Sequence, residues 1–281
     1  MNKLLLPILI LLLTACTKQP TDLRPTLTVS IEPLRYVVEA VVGNKFQVVT
    51  LMPQGASPET YEPTPKQMME LNESQALFCA GTLGFEHTRL PQMAATVCHT
   101  QLVSLSNGIK PIIDHSHQHH GLSQDPHTWM TAGNLIKMAE NTCSTLCNID
   151  STNTSYYQDR LETFRQEMEK LDAELKTKLR PIENRTFAIY HPALGYFAKT
   201  YGLHQLTVEH DGKEPSAAHL KLLVNQCKAE KVSVVFISKE HTGRAAQRLA
   251  ESINAQKVII NPLDYDVPAQ MRLIAQKMNH E

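Results

Sequence analysis

Four histidines crowd into six positions, His115, His117, His119 and His120, immediately ahead of Gly121. Neutral imidazoles are good ligands for zinc, copper or nickel. This tract lacks any apolar pattern, so it predicts a flexible loop that gathers metal weakly rather than a preorganised site. Three other motifs are better placed to build one. Asp125-Pro126-His127-Thr128-Trp129 sets His127 just ahead of a helix predicted to begin near Met130. Tyr190-His191-Pro192-Ala193-Leu194-Gly195-Tyr196-Phe197 sets His191 at the carboxyl edge of a predicted strand, beside a helix N-terminus. Ligands of open α/β sheets bind at the carboxyl ends of strands, which favours His191. Gly55 to Pro63 forms a loop after another strand and offers Glu59 and Glu62 as carboxylate ligands.

Alternating elements must hold these residues. Residues 27–31, 47–52, 75–79 and 100–105 read as strands. Residues 34–42 and 64–71 read as helices, the second with Thr64 as N-cap and Pro65 at its first position. Residues 155–180 form one long amphipathic helix, because Leu161, Phe164, Met168, Leu171, Leu175 and Leu179 recur at spacings of three and four. After Pro181 the alternation resumes, with strands at 186–190, 205–208, 232–237 and 257–260. Helices are expected at 192–201, 216–229 and 241–253. Strands separated by helices predict βαβ units and mainly parallel sheets. The expected fold is therefore α/β, with two α/β lobes joined by one long rigid helix.

The N-terminus sets the expected compartment. Lys3 precedes an apolar run from Leu4 to Leu13 that has signal-peptide length and is too short for a permanent span. It ends in Leu13-Thr14-Ala15-Cys16, which resembles a bacterial lipobox whose Cys16 carries the lipid. The expected organisation is a signal peptide at 1–15, a lipid-anchored tether at 16–24 and an N-terminal lobe at 25–152 with the His-rich loop at 114–124. The linking helix follows at 153–181 and the C-terminal lobe at 182–281. Processing removes only Lys3 among the charged side chains and moves the formal net charge from −1 to −2. That charge gives no footing for nucleic acid or for strong binding to anionic membranes. Of the five remaining cysteines, Cys79 and Cys98 fall in strand-like runs that could be bridged, Cys143 and Cys147 lie four apart on a helix, and Cys227 stands apart. No CxxC pair occurs, which argues against a thiolate metal site.

In order, the lipobox, Gly-x-Ser-Pro-x-x-Tyr-Glu-Pro, His loop, Asp-Pro-His-x-Trp, long helix, His-Pro-Ala-x-Gly-Tyr and Glu214-Pro215-Ser216 resemble one family. It is the zinc- and manganese-binding solute-binding proteins of bacterial ABC importers, and the resemblance spans about residues 27–277. It implies metal held in the cleft between the lobes, zinc (or manganese or iron) as transported ligand, an ABC permease as partner and a monomer on the periplasmic side of the membrane. Two of the family's ligand histidines carry over to His127 and His191. Glu59 stands where the family has its first histidine. Asn261 aligns best with the fourth ligand, an aspartate, and Asp264 or Asp266 could substitute for it. An amide oxygen is a poor zinc ligand, and carboxylates harden the site toward manganese or iron. The remaining histidines, His87, His99, His204, His210, His219, His241 and His280, show no ligand spacing. Trp129 reads as core or cleft packing.

A metal-dependent hydrolase is the rival reading, with Glu59 as its base, but no HExxH, Gly-x-Ser-x-Gly or phosphate-loop motif appears. An adhesin-like lipoprotein is a third, and the ordered pair of histidine motifs argues against it. The expectation is a binding protein and not an enzyme.

Overall fold

The computed structural model describes residues 23–94, 100–113, 124–209, 213–240 and 244–279. Cys16, Cys98 and the histidines 115, 117, 119 and 120 lie outside them. The first lobe runs β1 (Thr26–Val29), α1 (Glu32–Val42), β2 (Gln47–Thr50), α2 (Pro65–Asn72), β3 (Ala76–Cys79), α3 (Gly84–Ala94), β4 (Gln101–Ser104) and α4 (Ala132–Ile149). The long helix α5 (Thr154–Leu179) follows a short 3-10 turn. The second lobe runs β5 (Thr186–Ile189), α6 (Gly195–Tyr201), β6 (His204–Thr207), α7 (Ala217–Ala229), β7 (Val234–Ser238), α8 (Arg244–Ile253), β8 (Gln256–Ile260) and α9 (Val267–Met278).

Each lobe contains a four-stranded, wholly parallel sheet, ordered β2-β1-β3-β4 in the first and β6-β5-β7-β8 in the second. The same order in both places each lobe's switch point between its first and third strands. The chain there winds one way to the second strand and the other way to the fourth, which opens a crevice at the carboxyl ends. Helices α3 and α9 carry no clear sequence pattern and are additions to the expected elements. The capping at α2 is as expected, since Thr64 accepts from Gln67 N while the Gln67 side chain takes the Thr64 N–H.

Helix α5 extends about 39 Å for its 26 residues. It buries Phe164, Met168, Leu171, Leu175 and Leu179 along one stripe, at the predicted spacing. That stripe lies against α1 and α4 in the first lobe and α6 and α9 in the second, so a single apolar cluster runs through both. The second sheet has its two faces in different environments. Phe187, Ile189, Val234 and Phe236 enter the shared core, while Ala188, Tyr190, Val235 and Ile237 pack with Leu223 and Cys227 of α7 and Leu249 of α8. Strand side chains alternate faces, so His191, two residues after Ile189, falls on the face turned to the first lobe. Among the described residues no helix is long and apolar enough to cross a membrane. Cys79, Cys143, Cys147 and Cys227 are free thiols, with the Cys143 and Cys147 sulfurs 3.9 Å apart.

Candidate metal centre

His127 sits in the loop between β4 and α4, and the loop's own hydrogen bonds hold it. Asp125 Oδ1 accepts from the His127 backbone N–H and from its Nδ1, both at 2.9 Å. Thr131 caps α4 by accepting from Asn134 N at 3.1 Å, and Asn134 Nδ2 donates back to Thr128 O at 2.7 Å. Trp129, fully buried, sets its ring 5.4 Å from His127 and donates Nε1–H to Pro262 O across the lobes at 2.8 Å. It packs the cleft, as the sequence implies.

His191 leaves β5 at its carboxyl end. Its Nδ1 donates to Glu209 Oε1 at 2.9 Å, and Glu209 stands just past the end of neighbouring β6. Both histidines are buried, at 4% and 8% exposure, and their rings meet edge to face with centroids 5.1 Å apart. An Nδ1–H committed to a carboxylate fixes the tautomer and reserves Nε2 for ligation, the arrangement that orients metal-bound histidines. Burial alone lowers the His191 pKa. The Glu209 hydrogen bond and the Glu209, Glu59 and Asp125 charges outweigh it, so the net pKa is raised.

Glu59 approaches from the loop after β2, with Oε1 3.8 Å from His191 Nε2. Two donors on one tetrahedral zinc stand roughly 3.4 Å apart, given metal–ligand bonds of about 2.1 Å. The observed gap is therefore close to that of two ligands with an ion between them. Pro58 O accepts from Phe85 N at 3.1 Å, which ties the Glu59 loop to the start of α3. That start is itself wound around the buried Glu86 carboxylate, which accepts from the backbone N–H groups of Ala80, Gly81, Thr82 and Leu83. Burial raises the Glu86 pKa against those bonds. Thr82 Oγ1 then donates to Pro126 O at 2.8 Å, so one buried carboxylate braces both the Glu59 loop and the His127 loop. Glu62, the other expected carboxylate, is paired with Arg89.

His127, His191 and Glu59 share one small cavity, of about 50 Å³, with Ser57, Pro58, Ala193, Ser238, Glu240, Pro262 and Leu263. The structure does not bring Asn261, Asp264 or Asp266 to that cavity. Asn261 Oδ1 accepts from Leu263 N and its Nδ2 donates to Asp264 Oδ2, while Asp264 Oδ1 accepts from Asp266 N. Asp266 caps α9 by accepting from Ala269 N. Those side chains build the turn between β8 and α9, which presents Pro262 and Leu263 to the cavity instead. Glu240, which no motif singled out, is there in their place. Its pKa is raised by burial, against a smaller lowering by His191. Among the described residues, no three His, Cys, Asp or Glu side chains already converge as a complete metal shell. The two histidines are preset and the carboxylates stand at the cavity wall.

Sequence reasoning also passed over Glu209 and gave Gly195 no role beyond its place in the His-Pro-Ala-x-Gly-Tyr motif. A Cβ at Gly195 would overlap the Asp125 carboxylate, so the glycine lets α6 of one lobe approach the histidine-orienting residue of the other. The only sequence signal for Glu209 is an acidic residue one position beyond a predicted strand.

The family described as "Zinc-uptake complex component A periplasmic" matches residues 27–277 of the chain. A crystal structure of ZnuA superposes with a TM-score of 0.86 at 31% identity, covering 92% of this chain and 98% of that one. The high-affinity zinc uptake system protein ZnuA of Bacillus subtilis (strain 168) is 27% identical over 245 residues, 83% of this chain and 76% of that protein. The manganese ABC transporter substrate-binding lipoprotein PsaA of Streptococcus mitis is 24% identical over 231 residues, 78% of this chain and 73% of that protein. With the family match spanning both lobes and the helix between them, this chain belongs to the family of the periplasmic component A of zinc-uptake complexes.

Proposed function

We propose that the chain is the extracytoplasmic solute-binding component of an ABC metal importer, anchored to the membrane by lipid on Cys16. It captures one divalent transition metal ion, zinc in preference, in the cleft between its lobes and delivers it as a monomer to a permease. One observation carries the reading. Two buried histidines from opposite lobes, each oriented through Nδ1 by a carboxylate at 2.9 Å, reach a common cavity of about 50 Å³. His127, His191 and Glu59 are the proposed ligands. Asn261, Asp264 and Asp266 serve the turn below them, and the 114–124 histidines gather metal for the cleft.

The cavity has room for an ion and a few waters, each needing about 10–15 Å³. Because α5 is a single stiff helix packed on both lobes, release proceeds through small shifts of loops and lobes when the permease docks. A manganese or iron carrier is the second reading, supported by Glu59, whose oxygen is a harder donor than a third imidazole. The test is chelator-stripped protein titrated with zinc, manganese and iron. One tight equivalent of zinc with a higher melting temperature is the expected result, and no stabilisation by any of the three metals would defeat the transport reading. Deleting residues 114–121 should slow capture at low zinc and leave the tight site intact.

A further inference from the structure

The carboxyl end of β7 and the turn leaving it carry two polar residues at the cavity, Ser238 and Glu240. Strands β5 and β7 are adjacent and parallel, in register Ala188 with Val235 and Ile189 with Phe236. Continuing that register by two residues sets Ser238 beside His191. Both then lie on the face shared by Ile189 and Phe236, which is the face turned to the first lobe. This is the switch point of the second sheet, where open α/β folds place their ligands.

Ser238 is 2% exposed and its hydroxyl has no hydrogen-bond partner among the described residues. A buried polar atom in that condition is an exception that calls for an account. Here it lines the same cavity as both histidines. Glu240, two residues on, borders that cavity and also a larger basin of about 410 Å³, which Glu32, Gly55, Lys239 and Asn261 help to line. It therefore stands where the basin meets the histidines.

We propose that Glu240 is the fourth ligand of the transported ion, and that the Ser238 hydroxyl takes its hydrogen bond from within the filled shell. This rests on the reading of His127 and His191 as ligands. The resulting set is two imidazole nitrogens and two carboxylate oxygens, Glu59 from one lobe and Glu240 from the other. Their two negative charges match the two positive charges of a divalent ion. Such a set is harder than one of three histidines and narrows the preference for zinc over manganese.

The experiment measures equilibrium zinc and manganese affinities, by competition with a chromophoric chelator, for wild type, Glu240→Gln, Glu240→Asp, Ser238→Ala and His127→Ala. Glu240→Gln should lose at least tenfold in zinc affinity and more in manganese affinity, with the metal-free melting temperature held or raised. Glu240→Asp should recover part of the loss, and Ser238→Ala should weaken both metals less than Glu240→Gln does. If Glu240→Gln binds both metals as wild type does while His127→Ala does not bind, the histidine site stands and the fourth-ligand proposal falls. Unchanged affinity with slowed uptake would put Glu240 on the entry route and equally overturn it. If His127→Ala itself binds normally, the underlying site is misplaced and fails first. Zinc-edge anomalous diffraction from the Glu240→Asp protein decides the matter if Glu240→Gln does not fold, since a carboxylate oxygen of residue 240 must then lie on the metal.

Discussion

His127 and Asp125 are two residues apart on one loop, whereas His191 and Glu209 are eighteen apart on the ends of neighbouring strands, yet each pair closes at 2.9 Å. The two halves of the cavity reach the same chemistry by different routes. In the first lobe a local turn sets the histidine, and a single Asp oxygen serves both the ring and the backbone N–H. In the second lobe the β5–β6 register, Ile189 against Thr207, brings the ends of the two strands together. The contrast teaches that the tautomer of a buried histidine can be fixed by a short motif or by sheet topology. Only the first of these is written in consecutive residues.

Substitutions and pH probe that contrast. The largest effect is expected from His127→Ala and His191→Ala, each lowering zinc affinity by at least about 100-fold in chelator competition, more than loss of an outer-shell partner does. Markedly unequal losses would mean that one half binds alone. Next, Glu209→Gln and Asp125→Asn should each cost about 10–100-fold. Asp125→Asn should lie at the upper end, because Asp125 Oδ1 also holds the loop backbone. An Asp125→Asn protein with wild-type affinity would show that the local turn needs no charge.

Gly195→Ala joins the two halves, since its Cβ pushes on Asp125 from the opposite lobe. Overpacking of this kind costs about 1–3 kcal/mol. Calorimetry should show a lower melting temperature, with weakened zinc binding that Asp125→Ala relieves only in its thermal part. The smallest effect is that of pH. The raised His191 pKa means that protons compete with metal already above the ordinary histidine value of about 6.5. Zinc affinity should fall as pH drops through that range. In the metal-free protein the sign reverses, because a raised folded-state pKa stabilises below the unfolded value and that contribution is lost as pH rises through the folded one. The melting-temperature gap between zinc-bound and metal-free protein should therefore widen as pH rises through and beyond the ordinary histidine value of about 6.5.

Much of the fold was legible because its elements are punctuated. Thr64-Pro65 marks α2, the three-and-four spacing from Phe164 to Leu179 marks α5, and short β-branched runs mark the strands. Helix α9 escaped because its cap, Asp266, reads as a candidate ligand in a sequence where two aspartates follow Asn261. The same confusion affects the site. His127 and His191 stand beside prolines in recognisable motifs, but the groups that orient or join them come from other strands. Glu209 and Glu240 become neighbours of His191 only through the parallel pairing of β6 and β7 with β5. Glu86 braces the Glu59 and His127 loops from a helix that left no trace in the apolar pattern.

The central claim is that one ion bridges the lobes through two Nε2 atoms. Zinc-edge anomalous diffraction from zinc-loaded crystals of the wild-type protein tests it most directly. The expected result is a principal peak about 2.1 Å from Nε2 of both His127 and His191. A principal peak touching only one of them, or lying among the histidines of residues 115–120, would contradict it.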